Sequence, residues 1–133
     1  IKGSMSDALL NGSILANEVD YINAHGTGTI VNDRIEAKAI DEVFGEYSRS
    51  IHVSSSKPLH GHALGASSAM ELISTVLSIK NQLIPPVINY SEKDPLCDLN
   101  LVINGPLKTK IDVAFSNSFA FGGLNSSIIL KSC

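Results

Sequence analysis

The sequence predicts an α/β fold, a layered mixed β-sheet with a buried central helix, on three observations. Short apolar runs alternate with helical stretches early in the chain, whereas two strand-like runs follow one another near its end. Between Ala63 and Ile79 the only charged residue is Glu71, and apolar residues lie all round. That pattern suits a helix covered on every side, in the middle of a larger assembly. Finally, three strand-like runs each open straight into a glycine-rich or polar loop, and ligand sites of α/β sheets collect beyond the carboxyl ends of strands.

In chain order, residues 4–11 suit a short helix ending at Asn11-Gly12. Residues 19–24 are short, mostly apolar and partly β-branched, and read as a buried strand. They run into the glycine-broken loop His25-Gly26-Thr27-Gly28-Thr29. Asn32 or Asp33 can cap the next helix, with Ile35, Ala39, Ile40, Val43 and Phe44 on one face and Gly45 as its stop. Residues 51–54 form a second strand, followed by a loop over 55–61. The apolar helix covers residues 64–81, Pro85-Pro86 ends the connection, and Asp94-Pro95 marks a turn. Residues 113–115 and 127–130 suit a last pair of strands, joined by residues 117–123.

With 133 residues, 44% hydrophobic and 17% charged, the chain is long enough for one domain with a real core. The 13 carboxylates slightly outnumber the 10 Lys and Arg, and no basic run interleaved with aromatics suggests nucleic acid. Cys97 and Cys133 show no CxxC and no pairing pattern, so reduced thiols are expected. No apolar run approaches the roughly 18 residues of a membrane span, and no signal peptide is visible. A soluble, cytoplasmic protein is the expectation, or a plastid-like organelle in a eukaryote. The start at Ile1, inside a helix-like stretch, suggests a fragment.

The loops hold the residues that could carry chemistry. His25 follows an apolar strand, where a structural histidine is the ordinary reading; Thr27 and Thr29 add hydroxyls, and the glycines permit close approach of a ligand. A phosphate cradle would need a Gly-Lys-Ser/Thr ending, which is absent. His62 precedes the apolar helix, whose N-terminus disfavours an imidazolium and leaves a neutral ring able to donate one hydrogen bond to a developing oxyanion. His60, and perhaps His52, could join it around a metal, but no Cys, Asp or Glu clusters nearby at ligand spacing, so no metal is expected. Glu71, buried along the helix, must find a cation or become protonated, and Lys57 in the preceding loop is the obvious cation.

Several stretches then carry a family resemblance. They are Val19-Asp20-Tyr21-Ile22-Asn23-Ala24-His25-Gly26-Thr27-Gly28-Thr29 with Asn32-Asp33, Ser54-Ser55-Ser56-Lys57-Pro58 and Gly61-His62-Ala63-Leu64-Gly65-Ala66. Ile84-Pro85-Pro86 and Ser116-Asn117-Ser118-Phe119-Ala120-Phe121-Gly122-Gly123 continue the series. In this order and spacing, nearly the whole chain resembles the C-terminal half of the β-ketoacyl-acyl carrier protein synthases of the thiolase superfamily, most closely synthase II of type II fatty acid synthesis. The resemblance implies a thiolase-like half over residues 1–133. The N-terminal half and the first strand of this half would lie outside it.

By that resemblance His25 and His62 bind the malonyl thioester oxygen as it becomes an enolate. Lys57 is similar to the active-site lysine, and Glu71 to its buried partner. Phe121 resembles a gating phenylalanine whose N–H joins an oxyanion hole. Thr27 and Thr29 match hydroxyls that hold the pantetheine arm; Phe119, Gly122 and Gly123 would also bind substrate, and Asp33 matches a structural acid. No resident cofactor is implied, since the phosphopantetheine arm arrives on the acyl carrier protein, the expected partner of a homodimeric enzyme.

Departures accompany the likeness. The nucleophilic cysteine belongs to the family's other half, and neither Cys97 nor Cys133 lies in a nucleophile motif. Ala120 stands where the family usually has Gly, and His60 where Thr is common. Modular polyketide synthase domains usually place Gly before the aspartate, where this chain has Asn32. No Cys-x-Gly near the C-terminus suggests a thiolase, and His62 departs from the asparagine of the synthase III type. Beside the condensing enzyme stand two alternatives: a non-catalytic, chain-length-factor-like partner subunit, and a polyketide ketosynthase domain. A free-standing binding domain is disfavoured, because this chain alone could hardly cover the apolar helix.

Overall fold

A computed structural model describes all 133 residues, Ile1–Cys133. In chain order the regular elements are α1 (Lys2–Gly12), β1 (Tyr21–Asn23), α2 (Ile30–Phe44), β2 (His52–Ser54), α3 (Lys57–His60), α4 (Ser67–Asn81), β3 (Leu83–Ile84), β4 (Asn100–Leu101), β5 (Leu107–Lys108), β6 (Val113–Phe119) and β7 (Asn125–Lys131). Five strands form one sheet in the order β4-β2-β1-β6-β7, while β3 and β5 pair as a separate antiparallel ribbon. The central strand β1 runs parallel to β2 and β6; only β7 is antiparallel. The expected mixed sheet is therefore present.

Register decides what each face of the sheet carries. Ile22 lies level with Val53 and Phe115, and all three join Met5, Ile40 and Phe44 in the larger core beneath α1 and α2. The Phe44 and Phe115 rings meet edge to face, 5.5 Å apart, a geometry worth about 0.5–1.5 kcal/mol beyond the area it buries. One residue along, side chains point to the opposite face. There Tyr21, Asn23, Ser54, Ala114 and Ser116 lie beneath α4.

Helix α4 packs on this face through its least apolar stripe. Ser67, Glu71, Thr75 and Ser78 are buried, whereas Met70, Ile73, Val76 and Leu77 are exposed. Within this chain the helix is thus covered on one side only, not all round. The reason lies on the sheet: Asn23 donates to the Glu71 carbonyl and to Thr75 Oγ1, both at 3.1 Å, and Thr75 in turn bonds the Glu71 carbonyl. A buried polar layer of this kind must be fully paired, and small hydroxyl residues pair it while letting helix and sheet approach.

Several boundaries differ from expectation. The helix at residues 4–11 extends over Lys2–Gly12 and is closed by Ser13 in the left-handed region, φ 51°, with its N–H bonded to Leu10. Thr29, not Asn32 or Asp33, caps α2, by accepting the Asn32 N–H. Ile35 faces solvent, and the buried position beside it belongs to Glu36. The expected loop over 55–61 contains the short helix α3, and a 3-10 turn, Leu64–Ala66, precedes α4. Asn117, Ser118 and Phe119 extend β6 instead of lying in the connection, which shrinks to residues 120–124.

Candidate active site

The parallel strands β1 and β2 end side by side, so the chain leaves both at the same rim of the sheet. His25 follows β1 after Ala24, whose N–H donates to Ser54 at the end of β2. The loop beyond is held by a group the sequence reading did not single out. The Glu36 carboxylate, wholly buried on α2, accepts the backbone N–H of His25 at 2.9 Å and of Gly26 at 3.0 Å. Amide groups of Asn117 and Asn32 complete its shell at 3.3 and 3.4 Å. Burial pushes the Glu36 carboxyl above the usual carboxylate range, and these donors oppose that rise.

Gly26 sits in the left-handed region, φ 42°, against the β2 loop. A side chain there would place Cβ 2.7 Å from Ser55 Cβ, so only glycine fits without displacement. Ser55 ties the two loops together: its hydroxyl donates to the Gly26 carbonyl and accepts the Lys57 N–H.

Lys57 and Glu71 form the expected ion pair, almost wholly buried. An ammonium group has three donors, and each finds an acceptor: the Glu71 carboxylate, the His25 carbonyl, and His25 Nδ1 at 3.2 Å. Glu71 Oε2 also accepts the Ser118 hydroxyl. Glu71 Oε1, which faces the ammonium, has no other partner, so this carboxylate depends on Lys57 for its compensation.

The tautomers follow from these contacts. Because the Lys57 ammonium can only donate, His25 Nδ1 accepts and the ring proton lies on Nε2. His62 repeats the arrangement by other means: its Nδ1 lies 3.1 Å from the Leu64 N–H and 2.9 Å from Ser67 Oγ. A backbone N–H can only donate, so this ring also carries its proton on Nε2. Neither Nε2 has a protein partner, and the two rings lie nearly perpendicular with centroids 5.7 Å apart. Burial first, then the Lys57 charge and His62, lower the His25 pKa to about 4. The pair is therefore two neutral donors without a bound acceptor.

A cleft of about 580 Å³ opens beside His62, lined by Thr27, Thr29, Asp33, Lys57 and His62 on one side and by the segment around Asn89–Tyr90 on the other, while His25 lies behind its wall between Ala24 and Gly26. The Thr27 and Thr29 hydroxyls bond each other at 2.8 Å. Asp33 accepts from Asn32 and does not touch the His25 backbone; among the acids of α2, Glu36 does that. Phe119 is buried, its ring 5.4 Å from that of His25. Phe121 is fully exposed at the turn, where Gly122 and Gly123 take positive φ, and its side chain does not reach the histidines. His60 bonds Gly61 and Ser56, and His52 bonds Asn100, so neither joins His62. No three His, Cys, Asp or Glu side chains assemble a metal set.

Comparison with known proteins addresses the family. Residues 2–91 match the family described as "Beta-ketoacyl synthase, C-terminal domain". The chain belongs to this family. It is 45% identical over 130 residues to Nodulation protein E of Rhizobium meliloti, spanning 98% of the chain and 32% of that protein. It is 44% identical over 127 residues to 3-oxoacyl-[acyl-carrier-protein] synthase 2 of Coxiella burnetii, spanning 96% and 31%. The chain thus spans about a third of the length of these relatives.

Among solved structures, the ishigamide ketosynthase/chain length factor matches with a TM-score of 0.95 at 37% identity, covering 100% of the chain and 32% of that one. A ketosynthase bound to its type II PKS acyl-carrier protein gives 0.96 at 36%, covering 99% and 32%. The α/β thiolase-like fold read from the sequence agrees with these neighbours. No helix of the domain is long and apolar enough to cross a membrane.

Proposed function

We propose that the complete protein is a β-ketoacyl-acyl carrier protein synthase that joins an acyl thioester to malonyl-acyl carrier protein in fatty acid elongation. The observation that carries this reading is the pair of neutral imidazoles, each with Nδ1 occupied and Nε2–H free. Loss of CO2 from a malonyl thioester moves the electrons of the breaking C–C bond onto the thioester oxygen. Two fixed donors at that oxygen stabilise charge that exists only along the reaction path, which raises rate rather than ground-state affinity. The enolate carbon then attacks the acyl thioester held on a cysteine supplied by the rest of the protein, and the cysteine thiolate leaves.

In this reading the Thr27 and Thr29 hydroxyls hold the pantetheine arm along the cleft. Phe119, Gly122 and Gly123 line the acyl approach, and Phe121 gates it while lending its N–H to the acyl oxyanion. The partner is an acyl carrier protein, in keeping with the solved ketosynthase that carries one; the working enzyme is a cytoplasmic homodimer. Fatty acid elongation is preferred to polyketide assembly because a synthase 2 relative reaches 44% identity. A chain-length-factor role would leave two donors in the site without a task.

Mass spectrometry of the complete protein with acyl-acyl carrier protein and malonyl-acyl carrier protein tests the proposal. The expected product is a β-ketoacyl chain two carbons longer, with one CO2 released per chain. Tight binding of carrier protein with neither CO2 nor product would turn the reading to the non-catalytic partner.

A further inference from the structure

We infer that Ser67 is a positioning residue for His62, acting through its hydroxyl on Nδ1; the inference rests on the condensing function proposed above. His62 lies on the exposed link between α3 and the 3-10 turn, and of the two groups on its Nδ1 only one is anchored in the body of the fold. The Leu64 N–H belongs to the same link and moves with it. It is presented by a leucine at φ 50°, a left-handed conformation that leucine adopts only at a cost.

Ser67, by contrast, is the first residue of α4, 4% exposed, and α4 lies against the sheet. Its Oγ is 2.9 Å from His62 Nδ1. With Nδ1 unprotonated, the serine O–H and the Leu64 N–H share the single lone pair of that nitrogen as a three-centre bond. The hydroxyl then does two things. It fixes the ring plane relative to His25, and it draws electron density from the ring, which strengthens the Nε2–H donor at the far side. Ser67 stands to His62 as Lys57 stands to His25: a side chain from outside the loop that holds Nδ1 and leaves Nε2–H free.

The test uses the complete enzyme with Ser67→Ala and Ser67→Thr, measuring malonyl decarboxylation, cysteine acylation and the ¹⁵N signals of the His62 ring. Ser67→Ala should lower decarboxylation roughly tenfold and acylation less than about twofold, as expected for one hydrogen bond felt along one reaction path. Its His62 nitrogens should show ring averaging, and Ser67→Thr should restore both readouts. Decarboxylation and ring signals unchanged in Ser67→Ala would overturn the inference, as would equal losses in both half-reactions. Should the parent enzyme not decarboxylate at all, the functional reading fails, and the ¹⁵N signals alone decide the role of Ser67.

Discussion

At the scale of single residues, Lys57 does more than neutralise Glu71. Its three donors fix one carboxylate, one loop carbonyl and one imidazole nitrogen at once, so the charge that makes Glu71 tolerable also selects the tautomer of His25. Burial and that charge set the His25 pKa at about 4, against 6.5 for an ordinary histidine. Between those values the unfolded chain binds a proton that the native site refuses. Stability is therefore full above pH 6.5 and falls as pH drops toward 4. NMR titration of the complete enzyme should show His25 unprotonated at pH 5.5, and Lys57→Met should raise its midpoint; a midpoint near 6.5 in the parent would contradict the site as described.

Glu36 supplies a second test at this scale. Glu36→Ala strands the N–H groups of His25 and Gly26, at about 1–3 kcal/mol each if they remain dry. Denaturant melts should register that loss, and decarboxylation should fall with it. Unchanged melts would show that other groups hold the loop. His25, His62, Lys57 and Glu71 were legible because histidines beside glycine loops and a lone acid in an apolar helix stand out in any sequence. Glu36 did not stand out, although its spacing to Ile40 and Phe44 places a carboxylate on a buried stripe. Ser67 carried no signal, since a serine near a helix start has an ordinary explanation as a cap.

At the scale of elements, the pairing of α4 with the α3 segment can be measured directly. Removing one member of a buried ion pair costs about 3–5 kcal/mol, because the other charge is left unpaired. Glu71→Gln and Lys57→Met together should therefore cost clearly less than the sum of the single changes, read as unfolding free energies. Strict additivity would mean that the two charges are stabilised independently. Element positions were readable where apolar periodicity was strong. Asn117 and Ser118 read as a loop by their polar side chains, yet both lie in β6 and bond Glu36, Ser127 and Glu71. The cap at Thr29 is hard to read because Asn32 and Asp33, equally good caps by type, follow within one turn.

At the scale of the whole molecule, α4 turns Met70, Ile73, Val76 and Leu77 outward from a chain that spans a third of its relatives. The apolar pattern read from the sequence announced a helix inside a larger assembly; which face this chain would cover depended on the polar layer at Asn23 and Thr75, which periodicity does not reveal. The proposed function divides the chemistry in the same way. Neither cysteine here resembles a nucleophile, and burial followed by the Asp94 charge pushes the Cys97 thiol up. Incubation of the isolated 133 residues with an acyl thioester should leave no acyl-enzyme detectable by mass spectrometry; a stoichiometric adduct on Cys97 would overturn that assignment. The central claim, that two neutral imidazoles stabilise an enolate, is tested most directly by timing both half-reactions in His25→Ala and His62→Ala variants of the complete enzyme. Decarboxylation should fall by about 10²–10³ for each lost donor while cysteine acylation changes much less; equal losses in the two steps would contradict it.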